Sequence, residues 1–282
     1  MKTVTAAVAR RAAVLGSPVE HSLSPVLHGA AYEALGLTGW HYGKVECLEA
    51  DLAGFLDGLR PEWAGLSLTM PLKRVALEVA DQVGSVATAV GAANTLLLSG
   101  GGRRAENTDV RGIAEALRES GVEKVEQPVV LGAGGTAQAA LAALRELGGT
   151  EPTVLVRDPA RTVELRATAE RLDVRPRIIA GLGTEPLPEA DVVISTLPSG
   201  AADRLRCAGS AAGTQTVVLD VIYAPWPTRF AAGAQTGGCR VVGGLLVLLH
   251  QAVAQVELMT GRTAPVDQMR SALEAAVAAR ES

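Results

Sequence analysis

Short apolar runs bounded by Gly, Pro or Asp alternate along the chain with longer stretches whose apolar residues recur every three or four positions. That alternation predicts strands feeding helices, the pattern of parallel βα units. The predicted strands cover 12–15, 39–45, 65–68 and 93–98 and then, after a helix, 128–131, 153–157, 176–179, 191–195, 216–220 and 239–242. The first four are expected to form one sheet and the last six another. Val110, Ile113, Ala114 and Leu117 recur at helical spacing ahead of Gly121, which places a linking helix between the two sets. Leu245 to Met259 reads as a long apolar helix closed by Gly261, and a final helix is expected from about Pro265 to Arg280.

Composition narrows the function more than the fold. At 282 residues the chain suits two medium domains, since single cores stop growing near roughly 250 to 300 residues. Only 3% of residues are aromatic and the net charge is -4, so there is neither a stacking surface nor a basic face for nucleic acid. Cys47, Cys207 and Cys239 are odd in number and far apart, with no Cys-x-x-Cys and no His-Glu-x-x-His; they read as buried free thiols in a reducing cytoplasm, and no metal site is signalled. No signal peptide is read at the N-terminus, and no stretch approaches the length of a membrane span.

The most specific local motif follows the strand Val129-Val130-Leu131. There Gly132-Ala133-Gly134-Gly135-Thr136-Ala137 runs into apolar-spaced Ala140, Leu141, Leu144 and Leu147. Gly132 allows a tight turn, Gly134 lets backbone approach a pyrophosphate, and Ala137 permits close packing of helix on strand. The alternative is a merely structural glycine turn. At the end of the next strand stand Arg157 and Arg161, where an NAD site would carry an acid; two guanidiniums suit a 2′-phosphate and so NADP. Asp158 leaves NAD open, because it could take the ribose or neutralise Arg157, and the arginines could also be a solvated helix start.

The first half carries hydroxyls and one amine at predicted helix starts. Pro25 fits a first helical position and Ser24 its cap, and two hydroxyls, Ser22 and Ser24, beside a helix N-terminus would hold a carboxylate. Thr69 and Pro71 are expected to open another helix with Lys73 in its first turn, where the dipole disfavours a cation and would push the ammonium toward losing a proton. A surface lysine is the competing reading. Asn94 at a strand start, Asp109 or Thr108 as a cap, and Gln251 inside an apolar helix are polar groups that need partners.

Taken in order, Ser22-Leu23-Ser24-Pro25, Thr69-x-Pro71-x-Lys73, Gly91-Ala92-Ala93-Asn94-Thr95, Asn107-Thr108-Asp109-x-x-Gly112, the glycine turn, Asp220-x-x-Tyr223 and Gln251 form a set that resembles shikimate dehydrogenase. The resemblance implies a two-domain α/β protein. An N-terminal α/β substrate domain over 1–107 would be completed by C-terminal helices returning over 245–282, with a Rossmann-like nucleotide-binding domain over 108–244. It implies reversible, NADPH-dependent reduction of 3-dehydroshikimate to shikimate, a step of aromatic amino-acid biosynthesis, and small-molecule partners, and it admits a homodimer.

By position, Lys73 and Asp109 would be the acid–base pair. Ser22 and Ser24 would hold the substrate carboxylate, and Thr69, Asn94, Tyr223 and Gln251 would surround its ring. Gly132, Ala133, Gly134, Gly135, Thr136 and Ala137 would hold the pyrophosphate and Arg157 and Arg161 the 2′-phosphate. Ser195, Thr196, Leu197, Val221 and Gly244 would border the ribose and nicotinamide. Ser67, Val156, Asp158 and Leu246 depart from the family's usual residues. A quinate or aminoshikimate dehydrogenase using NAD, a folate-linked dehydrogenase and a non-catalytic nucleotide-dependent sensor stay open as alternatives.

Overall fold

The computed structural model describes residues 9–183, 186–207 and 215–281. The chain divides into two compact units. One takes the chain up to Thr88, Ala92–Thr108 and the chain from Gln251; the other takes Ala89–Gly91 and Asp109–His250.

As far as Glu106 the elements are β1 (Arg10–Gly16), α1 (Ser24–Ala34), β2 (Trp40–Glu46), α2 (Glu49–Asp57), β3 (Trp63–Leu68), α3 (Val75–Glu78), β4 (Gln82–Val83), α4 (Ser85–Val90), β5 (Thr95–Ser99) and β6 (Gly102–Glu106). The six strands form one sheet in the order β2-β1-β3-β5-β6-β4. Strand β1 is central, parallel to both β2 and β3. Its residues alternate between faces: Ala12 and Val14 pack with Val19, Tyr32 and Tyr42, whereas Ala13 and Leu15 pack with Leu52, Leu56, Leu66 and Leu72.

The sheet is mixed rather than purely parallel, because β5 runs antiparallel to both β3 and β6. The sequence pattern did not predict β4 or β6. Strand β4 is two exposed residues, and β6 buries only Ala105 among Gly102, Arg103, Arg104 and Glu106, so neither leaves an apolar run. Gly100 and Gly101, at φ +60 and +82, form the two-residue turn between β5 and β6; both positions lie in the left-handed region that primed hairpin turns require.

The chain continues through α5 (Asp109–Glu119), β7 (Pro128–Leu131), α6 (Gly135–Glu146), β8 (Thr153–Val156), a 3-10 turn (Pro159–Thr162), α7 (Val163–Arg171), β9 (Arg177–Ala180), β10 (Val192–Ser195), β11 (Val217–Asp220), α8 (Arg229–Thr236), β12 (Arg240–Gly243), α9 (Gly244–Thr260) and α10 (Val266–Glu281). Strands β7 to β12 form a second, wholly parallel sheet ordered β12-β11-β10-β7-β8-β9. Every residue of β7, β10 and β11 is buried, as expected of strands covered on both faces. The order reverses between β7 and β10. In open α/β sheets such a switch point, beyond the carboxyl ends of the strands, is where ligands bind. Helix α10 packs on α1 in the first unit, and among the described residues no helix is long and apolar enough to cross a membrane.

Candidate active site

Gly132 follows β7 at φ +108, and a Cβ there would come within 2.6 Å of Thr196 Oγ1. That closeness is built by Thr196 itself, whose N–H (3.0 Å) and hydroxyl (2.8 Å) both donate to the Leu131 carbonyl. The turn after β7 and the segment Ser195-Thr196-Leu197 are thus pinned together at the switch point. Gly134 is the N-cap of α6 and supplies no side-chain cap. A Cβ on Gly134 or Gly135 would meet nothing within 4 Å, so the protein's own packing does not demand glycine at either place. Bare backbone in front of a helix N-terminus is the arrangement that admits a phosphate, with the first-turn N–H groups and the helix dipole facing it. Ala137 is fully buried beneath the turn.

At the end of β8, Asp158 Oδ1 accepts from Ala160 N (2.9 Å) and caps the 3-10 turn. The carboxylate does not pair with Arg157. Arg157 and Arg161 are exposed, and neither guanidinium has a partner among the described residues. This donor set fits a dinucleotide bearing a 2′-phosphate, with the pyrophosphate at α6 and the extra charge at the two arginines.

The loops after β10, β11 and β12 are tied in series. Val221 N donates to Ser195 O (3.1 Å) and Gly244 N to Ile222 O (3.2 Å). A Cβ on Gly244 would overlap the Val221 carbonyl, so glycine there permits close backbone contact. Asp220 is buried and accepts from Thr228 Oγ1 (2.7 Å) and Ile222 N (3.3 Å), which fixes the loop carrying Val221 and half-buried Tyr223. Burial pushes the Asp220 carboxyl up, opposed by its bonds to Thr228 and Ile222.

In the first unit the structure changes two local expectations. Ser24 is not a cap: it is already helical, the N-cap is Leu23, and the Ser24 N–H donates to Ser22 Oγ (3.3 Å). Ser24 is itself buried, at 5% exposure. Lys73 is not in the first turn of a helix. It lies in a turn ahead of α3, which has four residues, too few for the dipole argument, because the macrodipole sums over aligned peptides of successive turns. Its carbonyl accepts from Ala93 N (2.7 Å), which fixes the Lys73 backbone beside Asn94, and Thr69 N donates to Leu15 O (2.9 Å).

Asn94, 2% exposed, has the partners its position required. Its Nδ2 donates to Thr108 Oγ1 (2.9 Å) and Gln251 Oε1 (3.4 Å), and its Oδ1 accepts from Thr108 N (2.8 Å) and Thr95 Oγ1 (3.0 Å). Ser22, Ser24, Thr69, Lys73, Asn94 and Gln251 therefore belong to the first unit, while Asp109 opens α5 in the second with Tyr223 and the glycine turn.

Residues 14–96 match the family model described as the shikimate dehydrogenase substrate binding domain, and residues 244–274 the shikimate 5'-dehydrogenase C-terminal domain. A curated shikimate dehydrogenase (NADP(+)) of Cereibacter sphaeroides is 37% identical over 265 residues, covering 91% of this chain and 94% of that protein. The chain belongs to the shikimate dehydrogenase family. Among solved structures, the shikimate dehydrogenase of Mycobacterium tuberculosis is 42% identical with TM-score 0.80, covering 94% of this chain and 99% of that one. The shikimate 5-dehydrogenase of Thermus thermophilus, in complex with NADP(H) and shikimate, is 34% identical with TM-score 0.79, covering 95% and 99%. The two family-model matches contain Ser22, Ser24, Thr69, Lys73, Asn94, Gly244 and Gln251, whereas Asp109, the glycine turn and both arginines lie outside them.

Sequence reasoning missed three buried polar residues of the first unit: His28, Tyr42 and Gln255. Gln255 had a readable signal, since it stands four residues after Gln251 on the same apolar helix. His28 and Tyr42 had none, because their neighbours come together only in the fold. His28 stacks on Tyr42 with ring centroids 3.9 Å apart and lies 3.4 Å from Gln255 Oε1, and its Nδ1 has no partner among the described residues.

Burial pulls His28 down from 6.5 to about 3 against the opposing bond from Gln255. The unfolded chain therefore binds this proton more readily, and stability present above about pH 6.5 is lost as pH falls toward 3. His28→Phe is expected to flatten the decline of unfolding free energy by up to about 1.4 kcal/mol per pH unit in that window. Denaturant melts of both proteins across the range measure it; parallel declines would refute the assignment.

Proposed function

We propose that this chain catalyses the reversible, NADPH-dependent reduction of 3-dehydroshikimate to shikimate in aromatic amino-acid biosynthesis. The observation that carries the reading is kinship along 91% of the chain with a relative named for that activity. The reduced nicotinamide supplies a hydride when bound. The residues supply the rest: Lys73 gives a proton to the oxygen as the carbonyl becomes a carbinol, with Asp109 as its acid–base partner. A positioned acid contributes on the order of 100- to 10,000-fold. Ser22 and Ser24 take the carboxylate, and Thr69, Asn94, Tyr223 and Gln251 orient the ring. Uncapped α6 takes the pyrophosphate, and the guanidiniums of Arg157 and Arg161 take the 2′-phosphate. Ser195, Thr196, Leu197, Val221 and Gly244 line the path of the ribose and nicotinamide. The three buried free thiols support a reducing cytoplasm as the working compartment.

The test is loss of reduced-nicotinamide absorbance with 3-dehydroshikimate, run with NADPH and NADH in parallel. Turnover is expected, with kcat/KM for NADPH at least about tenfold above NADH, the factor of one charge-assisted hydrogen bond. Binding of both ligands without turnover would leave a sensor. Preference for NADH and quinate would assign the alternative dehydrogenase.

A further inference from the structure

The buried amide of Gln255 is used at both ends. Its Oε1 accepts from Ser67 Oγ (2.7 Å), and its Nε2 donates to Asn94 O (3.1 Å) and Thr95 Oγ1 (2.9 Å). The direction of every bond is set. Tyr42 OH donates to Ser67 Oγ (2.6 Å), so Ser67 gives its own proton to Gln255 Oε1. Thr95 Oγ1, accepting from Gln255, gives its proton to Asn94 Oδ1 (3.0 Å). A flipped amide would set a donor against the Ser67 proton and an oxygen against the Asn94 carbonyl. Gln255, Ser67, Asn94, Thr95 and Tyr42 are all more than nine-tenths buried, so water is not at hand to replace a lost partner.

Gln255 thus holds Asn94 twice, by its backbone carbonyl directly and by its side chain through Thr95. With Oδ1 claimed by Thr95 and Thr108, Nδ2 faces Thr108 Oγ1 (2.9 Å) and Gln251 Oε1 (3.4 Å). We infer that Gln255 is a positioning residue for substrate: it sets the rotamers of the Asn94 and Gln251 amides from the side away from the ligand. The inference rests on the shikimate dehydrogenase reading of the site, since it requires Asn94 and Gln251 to meet the substrate ring.

Three variants test it in the full-length enzyme: Gln255→Leu, Gln255→Glu and Thr95→Val. Gln255→Leu is expected to raise KM for 3-dehydroshikimate about tenfold, the factor of one net hydrogen bond, while KM for NADPH and kcat stay within about twofold. Thr95→Val, which cuts the side-chain relay but spares the backbone bond, should raise the same KM by a smaller factor. Gln255→Glu keeps the shape and the acceptor but donates to Asn94 O only when protonated. Its KM defect should therefore shrink, relative to the parent enzyme, between about pH 8 and pH 5.5. In the parent enzyme the buried neighbours do not mimic this, because burial pulls His28 down to about 3 and pushes the Tyr42 hydroxyl up; Thr95→Val, which adds no charge beside His28, controls for any shift of that imidazole in Gln255→Glu.

If Gln255→Leu does not fold, the other two variants decide. An unchanged substrate KM in folded Gln255→Glu and Thr95→Val, or an equal rise in both KM values, overturns the inference. Absence of turnover in the parent enzyme would instead overturn the functional reading beneath it.

Discussion

Lys73→Ala is expected to lower kcat at least about 100-fold while KM for 3-dehydroshikimate changes by a small factor. The argument begins with what Lys73 does not do. It precedes a helix of four residues and is no part of a cap, so its side chain is not needed to start α3. Its backbone is held by the bond from Ala93 N, and Leu72 beside it supplies the fully buried contact, so alanine at 73 keeps the turn. Lys73 is half-buried, and loss of a positioned acid costs about 100- to 10,000-fold. Steady-state kinetics with an unchanged Tm measures it. A variant with near-parental kcat would remove Lys73 from the mechanism.

The second large effect concerns the cofactor. Arg157→Ala combined with Arg161→Ala should raise KM for NADPH about 10- to 100-fold and leave KM for NADH nearly unchanged. Both guanidiniums are exposed and unpartnered among the described residues, so their truncation should move stability by no more than about 0.5 kcal/mol. Each charge-assisted bond to a phosphate is worth about 1.5 to 3 kcal/mol, and solvent screening at this exposed place brings the two together down to about 1.4 to 2.8 kcal/mol, which is the 10- to 100-fold expected. Asp158 does not blunt the effect, because Ala160 N occupies its Oδ1. Equal losses with both cofactors would show that the arginines act on something common to the two, such as the pyrophosphate.

The second sheet was legible because β7, β10 and β11 are buried end to end and leave unbroken apolar runs, as in Val192 to Ile194. The glycine turn was legible for a different reason: its spacing answers to backbone geometry, which needs no knowledge of distant residues. Strand β6 was hidden because its arginines and Glu106 mask a single buried Ala105. Ser24 is no cap, although local spacing favours one, because the helix opens a residue earlier than Pro25 suggests, with Leu23 as its N-cap. Lys73 was placed in a helix because Leu72, Val75, Ala76 and Val79 keep helical spacing, although only Val75–Glu78 closes into one. Asn94 and Gln251 could be flagged as amides needing partners, but only the folded chain names those partners.

The first unit is not drawn from one stretch of chain. Its polar centre requires Gln251 and Gln255, which follow the whole of the second unit in sequence. Ribosomal synthesis runs from the N-terminus, and domains tend to fold as they emerge. Here that order is inverted: the nascent first half must wait for the Gln255 acceptor of the Ser67 hydroxyl and for the Gln251 and Gln255 bonds to Asn94 while its successor matures. Nonsense mutations beyond His250 would consequently spare the later-born unit and ruin the earlier one.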